Sequence, residues 1–321
     1  MTINKIIIIL GEPNSIFLEI LFKFFKSKKF NYLKKKIILI GSYDLSINQM
    51  KKLNYNFKFN IINKIDESKK NKINIINVDY RFKKEFSKIT NKSNRYISKC
   101  FKIGLEIIKK NKNIGLINGP ISKKHFLKKK YLGITEYLAK KTKSINQVML
   151  IYNEKLSVSP ITTHIPIKHV SSQISKKKII NNVLKISNFY KKIFKIKPKI
   201  AILGLNPHCE TIDKKTEEKQ KIIPAIKYLS NKKINIKGPF SPDTFFLKKN
   251  IKIFDVVVGM YHDQVLTPIK TLFNFDAINI TLGLPFIRVS PDHGPNYDMI
   301  GKNVSDPSSI FCAMKFFNKI S

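Results

Sequence analysis

Short apolar runs recur along the chain, and each is cut off by turn formers before a helical period begins. Residues 4–10, 37–41, 73–78, 115–118, 147–152, 156–162, 198–205 and 254–259 are the runs. Runs this short, apolar on consecutive positions, are strands covered on both faces. Helical spacing follows at 15–26, 45–53, 94–110, 176–193, 216–229 and 307–317. In the stretch 94–110, for example, Ile97, Phe101, Leu105 and Ile108 fall on one stripe. Strand, turn and helix in alternation predict an α/β protein on a largely parallel sheet. The polar stretch 54–72 reads either as a loop excursion or as an added hairpin. The segment around Gly238-Pro239 reads as loop. No GxGxxG follows any of these strands, so the usual dinucleotide fingerprint is absent.

At 321 residues the chain can form two lobes or one large unit with a sizeable core. It has no linker-like segment and no repeat, so two lobes would be interwoven. No apolar run approaches the roughly 18 residues that span a bilayer, and residues 6–10 are too short for a signal-peptide core. Cys100, Cys209 and Cys312 are odd in number and widely spaced, as in a reducing compartment. The expectation is a cytoplasmic protein without a membrane partner.

Lysine and arginine number 61 against 21 acidic residues, a formal charge of +40. Such an excess raises a nucleic-acid-binding protein as an alternative. Against it, only Arg81, Arg95 and Arg288 are arginines, and arginine is the better reader of phosphates and base edges. The lysines are spread over the whole chain, together with Ile, Asn and Phe, a set that A/T-rich codons favour. The expectation is therefore no nucleic-acid partner, with a positive field that attracts anionic substrates.

Chemistry-bearing residues concentrate between Met260 and Lys302: His262, Asp263, Lys270, Asn279, Arg288, Asp292, His293, Gly294 and Asp298. Moreover, His164, His208 and His262 each lie just past the carboxyl end of an expected strand, where open α/β sheets bind ligands. Three imidazoles delivered there can meet at one metal ion. Equally, each can be a loop histidine bonded locally, since no HxxxH pair joins them. Asp243, after Pro242, can cap a helix beginning at Thr244. His125 and His169 read as structural or exposed, Lys123 and Lys124 as solvated surface, and Cys209 as packing.

The ordered set Asn118-Gly-Pro-Ile-Ser-Lys123, Gly133-x-Thr135-Glu-Tyr-Leu138, Thr162-Thr-His-Ile-Pro166, Leu205-Asn-Pro-His208, Pro242-Asp-Thr244 and Met260–Gly301 resembles the 4-hydroxythreonine-4-phosphate dehydrogenase family. The resemblance covers most of the chain from about residue 115 onward. It implies an isocitrate/isopropylmalate dehydrogenase-like fold, two interwoven α/β lobes with a cleft between them. Residues 1–120 plus 265–321 would form a cofactor-side lobe, and 121–264 the metal, substrate and dimerisation lobe. It also implies a divalent cation (Zn, Mg, Mn or Co) held by His164, His208 and His262, the third coming from the partner subunit of a homodimer. Thr135, Lys270, Asn279 and Arg288 would contact the substrate, a small phosphorylated amino acid. Asp243 and Asp263 would lie near the metal and, with Lys270, are the candidates for the general base. The Asp292-His293-Gly294 turn and Asp298 would hold NAD, with NADP as the other candidate.

The implied reaction is oxidation of 4-phosphooxy-L-threonine to 2-amino-3-oxo-4-(phosphooxy)butanoate. This loses carbon dioxide to give 3-amino-2-oxopropyl phosphate, on the route to vitamin B6. A sister reaction on threonate or erythronate 4-phosphate is the alternative. Ile134 leaves it open, since the family carries histidine there. Other departures are the loss of later glycines after Gly11-Glu12-Pro13, Cys209-Glu210-Thr211 in place of Ala-Gly-Glu, and Pro295-Asn296 in place of small residues.

Overall fold

The computed structural model describes residues 3–128, 130, 131, 133–209, 213, 215–273, 277–291 and 294–320. Its strands, in chain order, are β1 (Lys5–Ile9), β2 (Lys36–Gly41), β3 (Phe59–Ile61), β4 (Ile73–Asn77), β5 (Ile114–Asn118), β6 (Val148–Tyr152), β7 (Ser157–Pro160), β8 (Ile200–Leu203), β9 (Ile236–Phe240), β10 (Val256–Gly259), β11 (Ile278–Leu282) and β12 (Ile287–Ser290). The chain divides into two compact units, one of Met1–Lys143 with Leu284–Ser321 and one of Ser144–Gly283. The divisions thus fall further along the chain than 120/121 and 264/265.

In the first unit the strand order is β3-β4-β2-β1-β5-β12, and these neighbours pair in parallel. The isoleucines of β1 face Ile37, Ile38 and Leu39 on one side and Gly115, Leu116 and Ile117 on the other. Ile6 to Ile9 are fully buried, as a central strand covered on both faces must be. Helix Asn94–Lys110 closes one face, with Ile97, Cys100, Phe101 and Ile108 in a core shared with Ile7, Ile9, Ile38 and Ile40. Residues 54–72 form neither a bare loop nor a hairpin. β3 pairs parallel to β4 at the sheet edge, with Phe59 opposite Ile73.

The second unit has the order β11-β6-β7-β10-β8-β9. Here β6 runs antiparallel to both β11 and β7, so the sheet is mixed where the sequence led one to expect parallel strands. β7, β10, β8 and β9 are parallel. β9 occupies the segment read from sequence as loop. Gly238-Pro239 is accommodated on the edge of the sheet, where a register shift between Ala201 and Leu203 relaxes the pairing. Among the described residues no helix is long and apolar enough to cross a membrane.

One helix was not legible in advance: His262–Phe273 follows β10 almost directly and carries Pro268 inside it. A proline in the seventh position argues against helix in a sequence. Here burial of Val265, Leu266 and Ile269 against Val158, Leu203 and Phe245 overrides that cost.

Candidate functional site

Because β7, β10 and β8 are parallel neighbours, their carboxyl ends lie along one edge. His164 stands four residues past the end of β7, His262 three past β10 and His208 five past β8. The sheet therefore delivers all three imidazole-bearing segments to the same edge of the second unit.

His164 and His262 face each other with ring centroids 5.5 Å apart and planes inclined at 42°. Two imidazoles bonded to one tetrahedral cation at about 2.0–2.1 Å would place their centroids about 5 Å apart. The pair fits that separation. His262 Nδ1 lies 2.6 Å from Asp263 Oδ1, which leaves Nε2 as the nitrogen able to bind a ligand. A carboxylate behind a ligating histidine fixes its tautomer and orientation.

His208 is not drawn into that pair. Its side chain is 83% exposed, and its Nδ1 is 3.8 Å from Asp243 Oδ2. Among the described residues no group of three or more His, Cys, Asp or Glu side chains stands close enough to hold a metal within one chain. His208 and Cys209 both take left-handed backbone conformations, with φ of 55° and 57°. Such conformations are uncommon for residues other than glycine and persist where the surroundings impose them.

The surroundings are visible. Glu218, fully buried, accepts hydrogen bonds from the Leu205 N–H at 2.7 Å and the Asn206 N–H at 2.9 Å through one oxygen. Its other oxygen accepts from Asn206 Nδ2 at 2.8 Å. A buried carboxylate thus clamps the start of the loop that carries His208. Sequence reasoning missed Glu218, because in a helix start it looks like an ordinary surface acid. The half-buried Cys209 thiol is pushed up by desolvation, which favours the packed thiol over a thiolate ligand.

Asp243 lies within the short helix Pro242–Phe245. The helix begins before it, so Asp243 does not cap a helix starting at Thr244. The Ser241 hydroxyl donates to it at 2.5 Å and, with the His208 ring as a further cause, holds its carboxyl below the usual range. Asp263 is exposed in the first turn of helix His262–Phe273, and Lys270 is exposed in its last turns. Asn279, on β11, is half-buried. Its Oδ1 is buried and accepts no hydrogen bond from the described residues.

The first unit holds a separate cluster. Arg288, on β12, is 1% exposed. Its Nε donates to Asn118 Oδ1 at 2.8 Å, and its Nη1 lies 3.4 Å from Thr135 Oγ1. Asn118 ends β5, the strand beside β12, and Thr135 is in the first turn of helix Ile134–Thr142. Desolvation pushes the guanidinium down to about 10, with Glu136 acting in the opposite direction. The group stays cationic at neutral pH. Ile134 packs against the core of this unit, where it offers no polar group.

Asp292 and His293 lie outside the described residues. Gly294 and Asp298 are exposed, Asp298 in the short turn Tyr297–Met299. Among the described residues, a Cβ at Gly294 would come no closer than 3.7 Å, to Asn296 Oδ1. His169, Lys123 and Lys124 are exposed, and His125 is half-buried in a helical turn, as their sequence contexts suggest.

Two further buried residues tie the histidine-bearing segments together. Thr162 donates from its N–H (3.1 Å) and its hydroxyl (2.8 Å) to the carbonyl of Met260. Gln264 accepts from the Met260 N–H at 2.6 Å and donates to the Gly204 carbonyl at 2.8 Å.

The family model described as pyridoxal phosphate biosynthetic protein PdxA matches residues 33–317. A protein of Sulfurihydrogenibium sp. (strain YO3AOP1) named 4-hydroxythreonine-4-phosphate dehydrogenase is 42% identical, over 97% of this chain and 96% of its own. The crystal structure of 4-hydroxythreonine-4-phosphate dehydrogenase from Klebsiella pneumoniae superposes with a TM-score of 0.83 at 25% identity, covering 98% of both chains. At 12% identity, a β-decarboxylating dehydrogenase from Thermococcus kodakarensis superposes with a TM-score of 0.51 over 97% of this chain and 81% of its own. That last likeness concerns the fold alone, the α/β fold that the chain shares with a β-decarboxylating dehydrogenase.

Proposed function

Since this chain belongs to the PdxA family of pyridoxal phosphate biosynthetic proteins and is a dehydrogenase of that family, we propose that it oxidises 4-phosphooxy-L-threonine with NAD and a divalent cation. The product, 2-amino-3-oxo-4-(phosphooxy)butanoate, decarboxylates to 3-amino-2-oxopropyl phosphate. We place the activity in the cytoplasm, in a homodimer. The observation that carries the reading is the facing of His164 and His262 at the separation of two ligands on one ion.

In this reading His164 and His262 hold the cation. Because His208 is exposed and apart within one chain, it is His208 that we take from a second copy, in place of the His262 that the resemblance implies. When bound, the cation would supply Lewis-acid chemistry and the nicotinamide cofactor the hydride chemistry. The chain's own residues do the rest. Arg288, preset by Asn118 and Thr135, presents a fixed cation to an anionic group of the substrate. Lys270 supplies a point charge for phosphate. The unpartnered Asn279 Oδ1 accepts from the substrate's ammonium or hydroxyl. Asp263 orients His262, and Asp243, held anionic by Ser241, stands beside His208 as a proton acceptor. Asp298 can accept from cofactor hydroxyls, and Gly294 lets the cofactor backbone approach.

The test is nicotinamide reduction by the purified protein on 4-phosphooxy-L-threonine and on threonate and erythronate 4-phosphates, with and without chelator. Reduction on the threonine derivative, lost with chelator and restored by Zn, Mg, Mn or Co, is expected. Turnover on a sugar-acid phosphate alone would overturn the substrate, and no reduction on any of them would overturn the activity.

A further inference from the structure

The parallel pairing of β7 with β10 and of β10 with β8 ends just short of the histidine-bearing loops, with only the Ile161 N–H to Gly259 carbonyl and Thr162 N–H to Met260 carbonyl bonds carrying it further between β7 and β10. Beyond those residues the chains diverge into loops, and nothing in sheet geometry fixes where His164, His208 and His262 come to rest. Further bonds take over at that point, made by two residues, Gln264 and Thr162. Gln264 is 9% exposed and sits in the first turn of helix His262–Phe273. Its carboxamide oxygen reaches back past the helix start and accepts from the Met260 N–H, two residues before His262. Its other end donates to the Gly204 carbonyl, four residues before His208. The Met260 carbonyl in turn accepts both bonds from Thr162, two residues before His164.

The chemistry of the partners dictates the orientation of the amide. A backbone N–H on one side needs an acceptor and a carbonyl on the other a donor, so the carboxamide turns its oxygen to Met260 and its nitrogen to Gly204. The room for it is also specific. A Cβ at Gly259 would lie 2.8 Å from Gln264 Oε1 and 2.5 Å from Val265, so glycine is needed for the side chain to fold back over β10. A Cβ at Gly204 would lie 2.7 Å from Cys209 Sγ and 3.1 Å from Glu218 Oε1. The strand end that receives the amide is therefore pinched between it and the clamp on the His208 loop.

We infer that Gln264, with Thr162, is a positioning residue of the metal centre: the pair holds the His164 and His262 segments in register through Met260, and through Gly204 ties to them the same chain's His208 segment, which serves the centre of the second copy. The inference rests on the reading of His164 and His262 as metal ligands. Neither Gln264 nor Thr162 touches the ion. Their effect reaches it through the backbone, as outer-shell partners of metal sites do, where loss of one costs about 10- to 100-fold in affinity.

The experiment titrates the chelator-stripped full-length protein with Co2+ and follows the visible d–d absorption. The variants are Gln264→Met, which keeps the volume and removes both bonds, Thr162→Val and Thr162→Ser. Circular dichroism at the titration temperature shows which variants are folded. Folded Gln264→Met is expected to bind Co2+ at least tenfold more weakly than wild type, with altered band intensities. Thr162→Val is expected to weaken binding as well, and Thr162→Ser, which keeps the hydroxyl, to restore it to within about twofold. A purely structural role would lower the melting temperature yet leave the Co2+ affinity and spectrum of the folded protein unchanged, and that result overturns the inference. Should Gln264→Met not fold, the Thr162 pair decides by the same criterion. If the wild type shows no Co2+ bands, or bands that survive His164→Ala, the metal reading itself falls and the inference with it. Wild-type bands that vanish in His164→Ala but are untouched in the variants sink the inference alone.

Discussion

Replacing Glu218 by alanine removes three hydrogen bonds to a carboxylate: two from the backbone N–H groups of Leu205 and Asn206 and one from the Asn206 side chain. A bond to a charged group contributes about 1.5–3 kcal/mol net, and three would total about 5–9 kcal/mol. Removing the carboxylate also removes the cost of burying it, and water can enter beside the half-exposed Leu205 and Asn206. A net loss of about 3–4 kcal/mol follows, two to three powers of ten in the local opening equilibrium. The left-handed His208 and Cys209 lie directly downstream, and each such residue costs about 1–3 kcal/mol to maintain. The loop should therefore relax once unclamped. Hydrogen exchange read by NMR or mass spectrometry at the Leu205 and Asn206 amides should speed up about 100- to 1000-fold in Glu218→Ala. Glu218→Gln, whose amide oxygen can keep both backbone bonds, should fall between, at a loss of about 1–2 kcal/mol. Unchanged exchange at those amides in Glu218→Ala would refute the clamp.

Arg288→Lys should raise KM for the phosphorylated substrate at least about tenfold in steady-state kinetics, because an ammonium cannot bond Asn118 and Thr135 and still present a fork. Glu12, buried behind β1 between the Asn14 N–H and the Ser93 hydroxyl, is pushed up by desolvation from 4.5 to about 7. Its folded-state value lies above the unfolded one, so its contribution to stability is fully present below pH 4.5 and is lost as pH rises through about 7. Across that window the wild type should lose about 3 kcal/mol more than Glu12→Gln, as urea midpoints at the two ends would report. Gly115→Ala would set a Cβ 2.2 Å from the ring of the buried Phe317. Its denaturation midpoint should drop by the equivalent of about 1–3 kcal/mol, with partial recovery in the double variant with Phe317→Leu.

Much of the fold was legible because its central strands are isoleucine and valine runs between turn formers. β1, β2, β5 and β10 announce themselves by composition alone. What escaped depended on tertiary context. β3 is three residues long and owes its pairing to β4. β9 carries Gly238-Pro239 and is tolerated only at an edge. Helix His262–Phe273 holds a proline that local propensity would exclude. The antiparallel β6 reads no differently in sequence from its parallel neighbours, since direction leaves no mark on a five-residue apolar strand. At the candidate site, the histidines were legible from their shared place after strands, and the facing of His164 with His262 follows from β7 and β10 being adjacent. The brace behind them was not. Glu218 and Gln264 do their work through backbone groups, and a backbone partner has no sequence signature.

The central claim is that one cation sits between His164 and His262. Crystals grown with Co2+ and measured across the cobalt absorption edge test it directly. The account predicts an anomalous peak within about 2.0–2.2 Å of a ring nitrogen of each of these two histidines, with a third imidazole from a second copy completing the sphere. An ordered protein with both rings in place and no anomalous peak between them would contradict it.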